Sequence, residues 1–190
     1  CHGTPSPKLW DKYLNYQKGK YKSNIIEINF RNKTYGYHSS TMKIGFENGK
    51  TYYGSARIDY MLKSFFKEIS SRPICYNCPF KTIVRESDLT LYDCWHISKL
   101  VPELKDDDCG YTNVIVQSKK GQQVLDKLNE ELDVYTVDTI KAIEMDGIMV
   151  KNPAIPHPRR GEYYNNIDNA SLKKHIQEFI PISKKDYFVE

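Results

Sequence analysis

Residues 41–55, TMKIGFENGKTYYGS, decide the fold. Met42, Ile44 and Phe46 fall on alternate positions up to Asn48-Gly49, and Thr51 and Tyr53 resume the alternation beyond it. A period of two is that of a half-buried strand. Asn-Gly between two such runs predicts a tight hairpin, because both central residues of that turn need positive φ. Just upstream, NIIEINFRN (24–32) places Ile26, Ile28 and Phe30 on alternate positions, so three antiparallel strands are predicted.

Downstream of the hairpin, Asp59 has the chemistry of a helix cap, with Met61, Leu62, Phe65, Phe66 and Ile69 recurring on one face behind it and Pro73 stopping the helix. A loop carrying CYNC (75–78) follows, then SDLTLYDCW (87–95), which reads as a short buried strand. NVIVQ (113–117) is a compact β-branched run leading into a helix whose face is Val124, Leu125, Leu128 and Leu132. DVYTVD (133–138) reads as a further strand and TIKAIEM (139–145) as a helix begun by Asp138. The proline-rich NPAIPHPRRGEYYNN (152–166) is predicted to start extended, and a last amphipathic helix shows Leu172, Ile176, Phe179 and Ile180. The fold class is therefore α+β: an antiparallel, hairpin-containing sheet with flanking helices in a single domain, with 150–190 as a proline-rich tail and final helix.

A chain of 190 residues can bury a core of its own. Lysines and arginines exceed acidic residues, 28 to 24, but the lysines are scattered (Lys18, Lys20 and Lys22 at one end, Lys173, Lys174, Lys184 and Lys185 at the other). A nucleic-acid binder gathers them on one stripe, so scattered lysines read as a solvated face. No apolar run reaches membrane-spanning length. Five cysteines (Cys1, Cys75, Cys78, Cys94 and Cys109) are an odd set for a disulfide framework, which points to a reducing, cytoplasmic compartment. The opening CHGTPSPKLW has neither an initiator methionine nor the scar of a removed leader; it reads as the start of a piece cut from a longer protein.

Cys75 and Cys78 form C-x2-C past a helix end, a spacing that lets two thiolates reach one metal centre. The residues offer two ways to complete such a site. Cys94 and His96 would make a local structural zinc site; Cys1 would instead join the pair from a distant segment, with further ligands upstream. For Cys94 and Cys109 the favoured reading is that of ordinary buried or exposed thiols. The acidic run KDDDCG (105–110) lacks the alternate spacing of a calcium loop and reads as a solvated turn. Arg159 and Arg160 of HPRR suit a phosphate, although paired arginines before a helix also serve as surface ion-pair partners. There is no GxGxxG and no P-loop.

Taken in order, CHGTPSPKLW, INFRNK, SRPICYNCPFK, SDLTLYDCW and PHPRRGEYY resemble the carboxy-terminal domain of the coenzyme F-420 hydrogenase/dehydrogenase beta-subunit family over nearly the whole chain. The resemblance implies part of an FAD and iron–sulfur oxidoreductase that passes electrons between iron–sulfur carriers and a two-electron acceptor such as coenzyme F-420. It implies that Cys1, Cys75 and Cys78 are metal ligands of a 4Fe–4S cluster, that His2 and Gly3 lie close to the redox centres, and that Asp93 and Trp95 line a cofactor pocket. It also implies partners: an upstream part of the same chain, and a ferredoxin or another iron–sulfur subunit. The isolated domain is expected to be inactive and to hold no intact cluster. Two departures stand out: the family's SDxTxGDxW block usually carries glycine where Tyr92 stands, and often glycine after the tryptophan, where His96 stands. They keep a zinc-stabilised or cofactor-free docking module open as the alternative.

Overall fold

The computed structural model describes residues 3–189, and its backbone divides into two compact units. Among the described residues, one is split in sequence, residues 3–76 with 154–189; the other is continuous, residues 77–153. The elements are mixed α and β, with antiparallel sheets, as predicted.

The split unit holds α1 (Pro7–Tyr21), β1 (Ile25–Asn32), β2 (Thr41–Phe46), β3 (Thr51–Ser55) and α2 (Tyr60–Phe66), and later α7 (Arg160–Asn165), α8 (Leu172–Phe179) and α9 (Lys184–Val189). Its sheet has the order β1-β2-β3, all antiparallel, with Ile28 opposite Ile44 and Ile44 opposite Tyr52. Met42, Ile44 and Phe46 are buried, as their alternation requires. Each removes a large apolar side chain from water, worth roughly 1.5–3 kcal/mol, so this register is strongly fixed. Against them pack Leu9 and Tyr13 of α1, Met61 and Leu62 of α2, Tyr163 of α7, and Leu172, Ile176 and Phe179 of α8.

The hairpin turn differs from the predicted one. Gly49 has φ +80°, while Asn48 is not left-handed. Gly49 N–H donates to the Phe46 carbonyl, and Phe46 N–H to the Lys50 carbonyl. This is the three-residue loop in which one left-handed glycine closes the turn, and the Asn48 side chain accepts from Lys50 N–H. In β1 the alternation also fails. Register shifts after Ile25 and after Asn29 turn Ile26 and Phe30 outward, because each irregularity flips which side chains face the core.

Helix α1 is the longest of the helices that the apolar pattern did not announce. Its buried face is Leu9, Tyr13 and Gln17, an i, i+4, i+8 stripe with one aliphatic residue in it. Pro7 starts it, where a missing N–H costs nothing, and Lys22 ends it in the left-handed conformation. Asp59 does cap α2, accepting from the N–H groups of Met61 and Leu62. The helix ends at Phe66, though, well before Pro73: Glu68 turns the chain with φ +54°.

The continuous unit pairs β4 (Leu89–Cys94) with β5 (Tyr111–Val116), antiparallel, and adds α3 (Ile97–Leu100), α4 (Lys119–Leu128), α5 (Thr139–Asp146) and α6 (Ile148–Lys151). Cys94, Ile97 and Val101 form its small core. Asp138 caps α5 through Lys141 N–H, as predicted. Residues 133–138 form no strand. In α4, Val124 remains exposed, as does Leu132 beyond the helix end; the buried position is Gly121, where a Cβ would collide with the Asp88 carbonyl.

Candidate functional site

In the split unit, Cys75 sits in a short 3-10 turn (Pro73–Asn77) and is half-buried. The backbone N–H of Thr4 donates to its Sγ at 3.3 Å. The start of the chain lies along this turn: Arg72 N–H donates to the Thr4 carbonyl, Ser6 N–H to the Ser70 carbonyl, and Pro5 bridges Ser71. Gly3 is required here, since it has φ +151° and a Cβ would stand 2.9 Å from Ser71 Oγ and 3.5 Å from Cys75 Cβ.

The same turn is gripped from the opposite end of the sequence. Arg160 donates through Nε and Nη2 to the Ser71 carbonyl, at 3.2 and 2.7 Å. Its guanidinium lies over the rings of Tyr76 and Tyr164. Tyr164 Oη donates to the Ser70 carbonyl, and both Tyr76 Oη and His157 N–H donate to the Glu68 carbonyl. Of the two arginines, Arg159 is the ion-pair partner, reaching Glu162 and Glu178; Arg160 clamps the backbone beside Cys75. Its bidentate grip on one carbonyl uses the planar fork that lysine lacks, and nothing in HPRR alone names Ser71 as the recipient.

In the continuous unit, Cys78 is half-buried and its carbonyl accepts from Lys81 N–H. Cys94, Trp95 and His96 end β4 and meet Asp146, the last residue of α5. The Asp146 side chain is fully buried. Its Oδ2 accepts from the backbone N–H groups of Trp95 and His96, at 3.1 and 3.3 Å, and its Oδ1 lies 2.6 Å from His96 Nδ1. The His96 ring is 41% exposed. The Cys94 thiol also bonds Asp146, and burial pushes it above the usual thiol range; burial and the Asp146 charge push the Tyr92 phenol up to about 12. Asp93 offers its carbonyl to Asn113 Nδ2 at 3.5 Å.

Among the sequence-predicted residues, Cys1 and His2 lie outside the described residues. Gly3 and Cys75 come together in the split unit. Asp93 and Trp95 adjoin one another in the continuous unit, with Trp95 tied to Asp146. Of the local zinc set, Cys75 belongs to the split unit and Cys78, Cys94 and His96 to the continuous one; among the described residues no three His, Cys, Asp or Glu side chains gather so as to hold a metal ion, and the imidazole nitrogen Nδ1 of His96 is occupied by Asp146. Cys109 is exposed beside Asp107 and Asp108, whose charges raise its thiol. An open groove lies at the end of α1, lined by Lys18, Lys22, Asn24 and Glu47 among others; it contains none of the predicted site residues. No helix among the described residues is long and apolar enough to cross a membrane.

Two residues were missed, Arg160 as the clamp of the cysteine turn and Asp146 as the partner of His96. The sequence distance to their partners is 89 and 50 residues, so no local pattern connects them.

Compared with known families, residues 1–142 match the model for the C terminus of the beta subunit of coenzyme F420 hydrogenase/dehydrogenase, so the chain belongs to that family. The match ends short of Asp146 and Arg160. No curated protein and no solved structure matches.

Proposed function

We propose that this chain, a component of an oxidoreductase of the F420 hydrogenase/dehydrogenase beta-subunit type, works in a flavin- and iron–sulfur-dependent electron transfer between one-electron carriers and a two-electron acceptor such as coenzyme F-420. Cys75 and Cys78, with Cys1, would hold a 4Fe–4S cluster, and Asp93 and Trp95 would line the flavin pocket.

The observation that carries this reading is the environment of Cys75. An N–H donor is aimed at its sulfur, and hydrogen bonds to cluster sulfurs tune reduction potential. Gly3 lets the backbone approach the cysteine where a side chain would collide. Cys1 is two residues before Gly3, within about 7 Å of chain reach. These features suit a thiolate ligand and its neighbour.

When bound, a cluster would supply or accept electrons singly, and a flavin would join single-electron to hydride chemistry. The chain's own residues have simpler tasks. Thr4 N–H steadies the sulfur, Gly3 leaves room, and Arg160 fixes the turn that presents Cys75. A redox partner carrying iron–sulfur centres, and a further part of the same protein, would complete the path.

The test is the iron, acid-labile sulfide, zinc and flavin content of the full-length protein purified without air. Iron with sulfide and FAD is expected, with Cys75→Ser losing iron while FAD is retained. Zinc alone, with neither sulfide nor flavin, would replace the redox reading with that of a zinc-stabilised docking module.

A further inference from the structure

We infer that His96 is a proton-transfer residue and Asp146 its positioning residue: His96 Nε2 hands a proton to the two-electron acceptor while its Nδ1–H stays bonded to Asp146. This rests on the redox reading above.

The geometry is that of a half-exposed base oriented by an enclosed carboxylate. Asp146 already receives two backbone N–H groups on Oδ2, so its second oxygen is left to accept from the ring at 2.6 Å. An acceptor at Nδ1 fixes the tautomer and leaves Nε2 to the outside.

The position of Asp146 disfavours a carboxylate, even with the two backbone N–H groups it receives. It ends α5, where the partial negative charge of the helix terminus opposes a carboxylate, and it is wholly shielded from water. Burying an ionised carboxylate costs far more than its packing returns unless a cation faces it. His96 is its ion-pair partner, at 2.6 Å.

Other titratable groups here do not compete. From β4 come Cys94 and Tyr92, both raised by burial and hence protonated. From α3 and α5 come Lys99 and Lys141, the latter donating to the Lys99 carbonyl. His96 is left as the ring that faces both Asp146 and solvent.

The chemistry balances. A two-electron acceptor takes a hydride, two electrons with one proton, from a reduced-flavin-class donor, and needs one further proton. Imidazolium His96 gives up its Nε2 proton and becomes neutral, and water at the exposed ring restores it.

Two readouts test this in the full-length holoprotein. Nitrogen-15 NMR of labelled histidines should show neutral His96 as the Nδ1–H tautomer, lost in Asp146→Asn. Reduction of coenzyme F-420 by reduced methyl viologen should fall roughly 10²–10⁴-fold in His96→Asn, with the basic limb of the pH–rate profile abolished and iron and FAD retained. An unchanged profile in His96→Asn, or an Nε2–H tautomer in the wild type, overturns the role while the redox reading stands. No turnover by the wild type overturns both, and wild-type turnover thus tells the two failures apart.

Discussion

Asp59 in one unit and Asp146 in the other are both enclosed completely, and the two are treated in opposite ways. Asp59, in the split unit, caps the N-terminus of α2, where helix charge favours it; it accepts from Met61 N–H, Leu62 N–H, Tyr13 Oη at 2.5 Å and Tyr52 Oη at 3.0 Å. Each of these donors belongs to the framework. Asp146, in the continuous unit, stands at a helix C-terminus that disfavours it, and one of its donors is a ring that meets solvent. A buried charge satisfied wholly by the scaffold fixes a fold; one that shares its second oxygen with a solvent-facing ring is, on the proposal above, available for chemistry.

The largest expected effect tests that division. Asp59→Ala orphans two helix N–H groups and two phenols, and should cost about 3–5 kcal/mol, read from urea unfolding with amide exchange followed in α2. Asp146→Asn keeps an acceptor for the Trp95 and His96 N–H groups and should cost about 1 kcal/mol. Equal losses would erase the distinction between a structural and a chemical carboxylate.

Acidity sharpens it next. Burial raises the Asp59 carboxyl from 3.8 to about 6 despite its hydrogen bonds. A carboxyl raised on folding takes up a proton, so its contribution is greatest below pH 4 and is lost as pH rises through 6, by about 3 kcal/mol at most. His175, enclosed between Tyr163 and Phe179, works against this. Burial, helped by Lys12, lowers its folded value below 6.5, so its contribution is present above that value and lost as pH falls. Asp59→Asn should steepen the loss of stability between pH 6 and 4, and His175→Gln should reduce that loss. Urea midpoints across the range check both, and identical slopes in all three proteins would refute the assignment.

Arg160→Lys comes third. Lysine can keep one of the two bonds to Ser71 but neither the fork nor the stacking on Tyr76 and Tyr164, so about 1–2 kcal/mol should be lost. On the proposed cluster reading, iron content should fall with it. Lys8→Ala is the smallest and serves as the control: the Lys8–Asp168 pair is more than half exposed on both sides, and removal should shift stability by less than about 0.5 kcal/mol.

How much of this the sequence disclosed follows from what each feature depends on. Met42, Ile44 and Phe46 were legible because alternation is a local consequence of burying one face, and Asp59 and Asp138 because capping is settled within three residues. Helix α1 was not, since Tyr13 buries its hydroxyl through Asp59, 46 residues away, and Gln17 is a polar residue on the buried face. Ile26 misled because a bulge is invisible to a periodicity. Cys75 was identified by its spacing and its resemblance to a family, yet its donor, Thr4, and its clamp, Arg160, are fixed only by tertiary pairing. His96 drew notice as a departure; Asp146, which gives it meaning, drew none.

The split of one unit across the sequence has a consequence in time. Residues 77–153 emerge from the ribosome as an uninterrupted piece and can condense at once. The other unit cannot: α8 supplies Leu172, Ile176 and Phe179 to a core whose remaining walls, α1, β2 and α2, were made long before. At roughly 5–20 residues per second, those walls wait many seconds with Met42, Ile44 and Phe46 uncovered. Throughout that interval the turn bearing Cys75 also lacks Arg160. Assembly of anything at that cysteine would therefore be a late event, gated by the synthesis of α7 and α8.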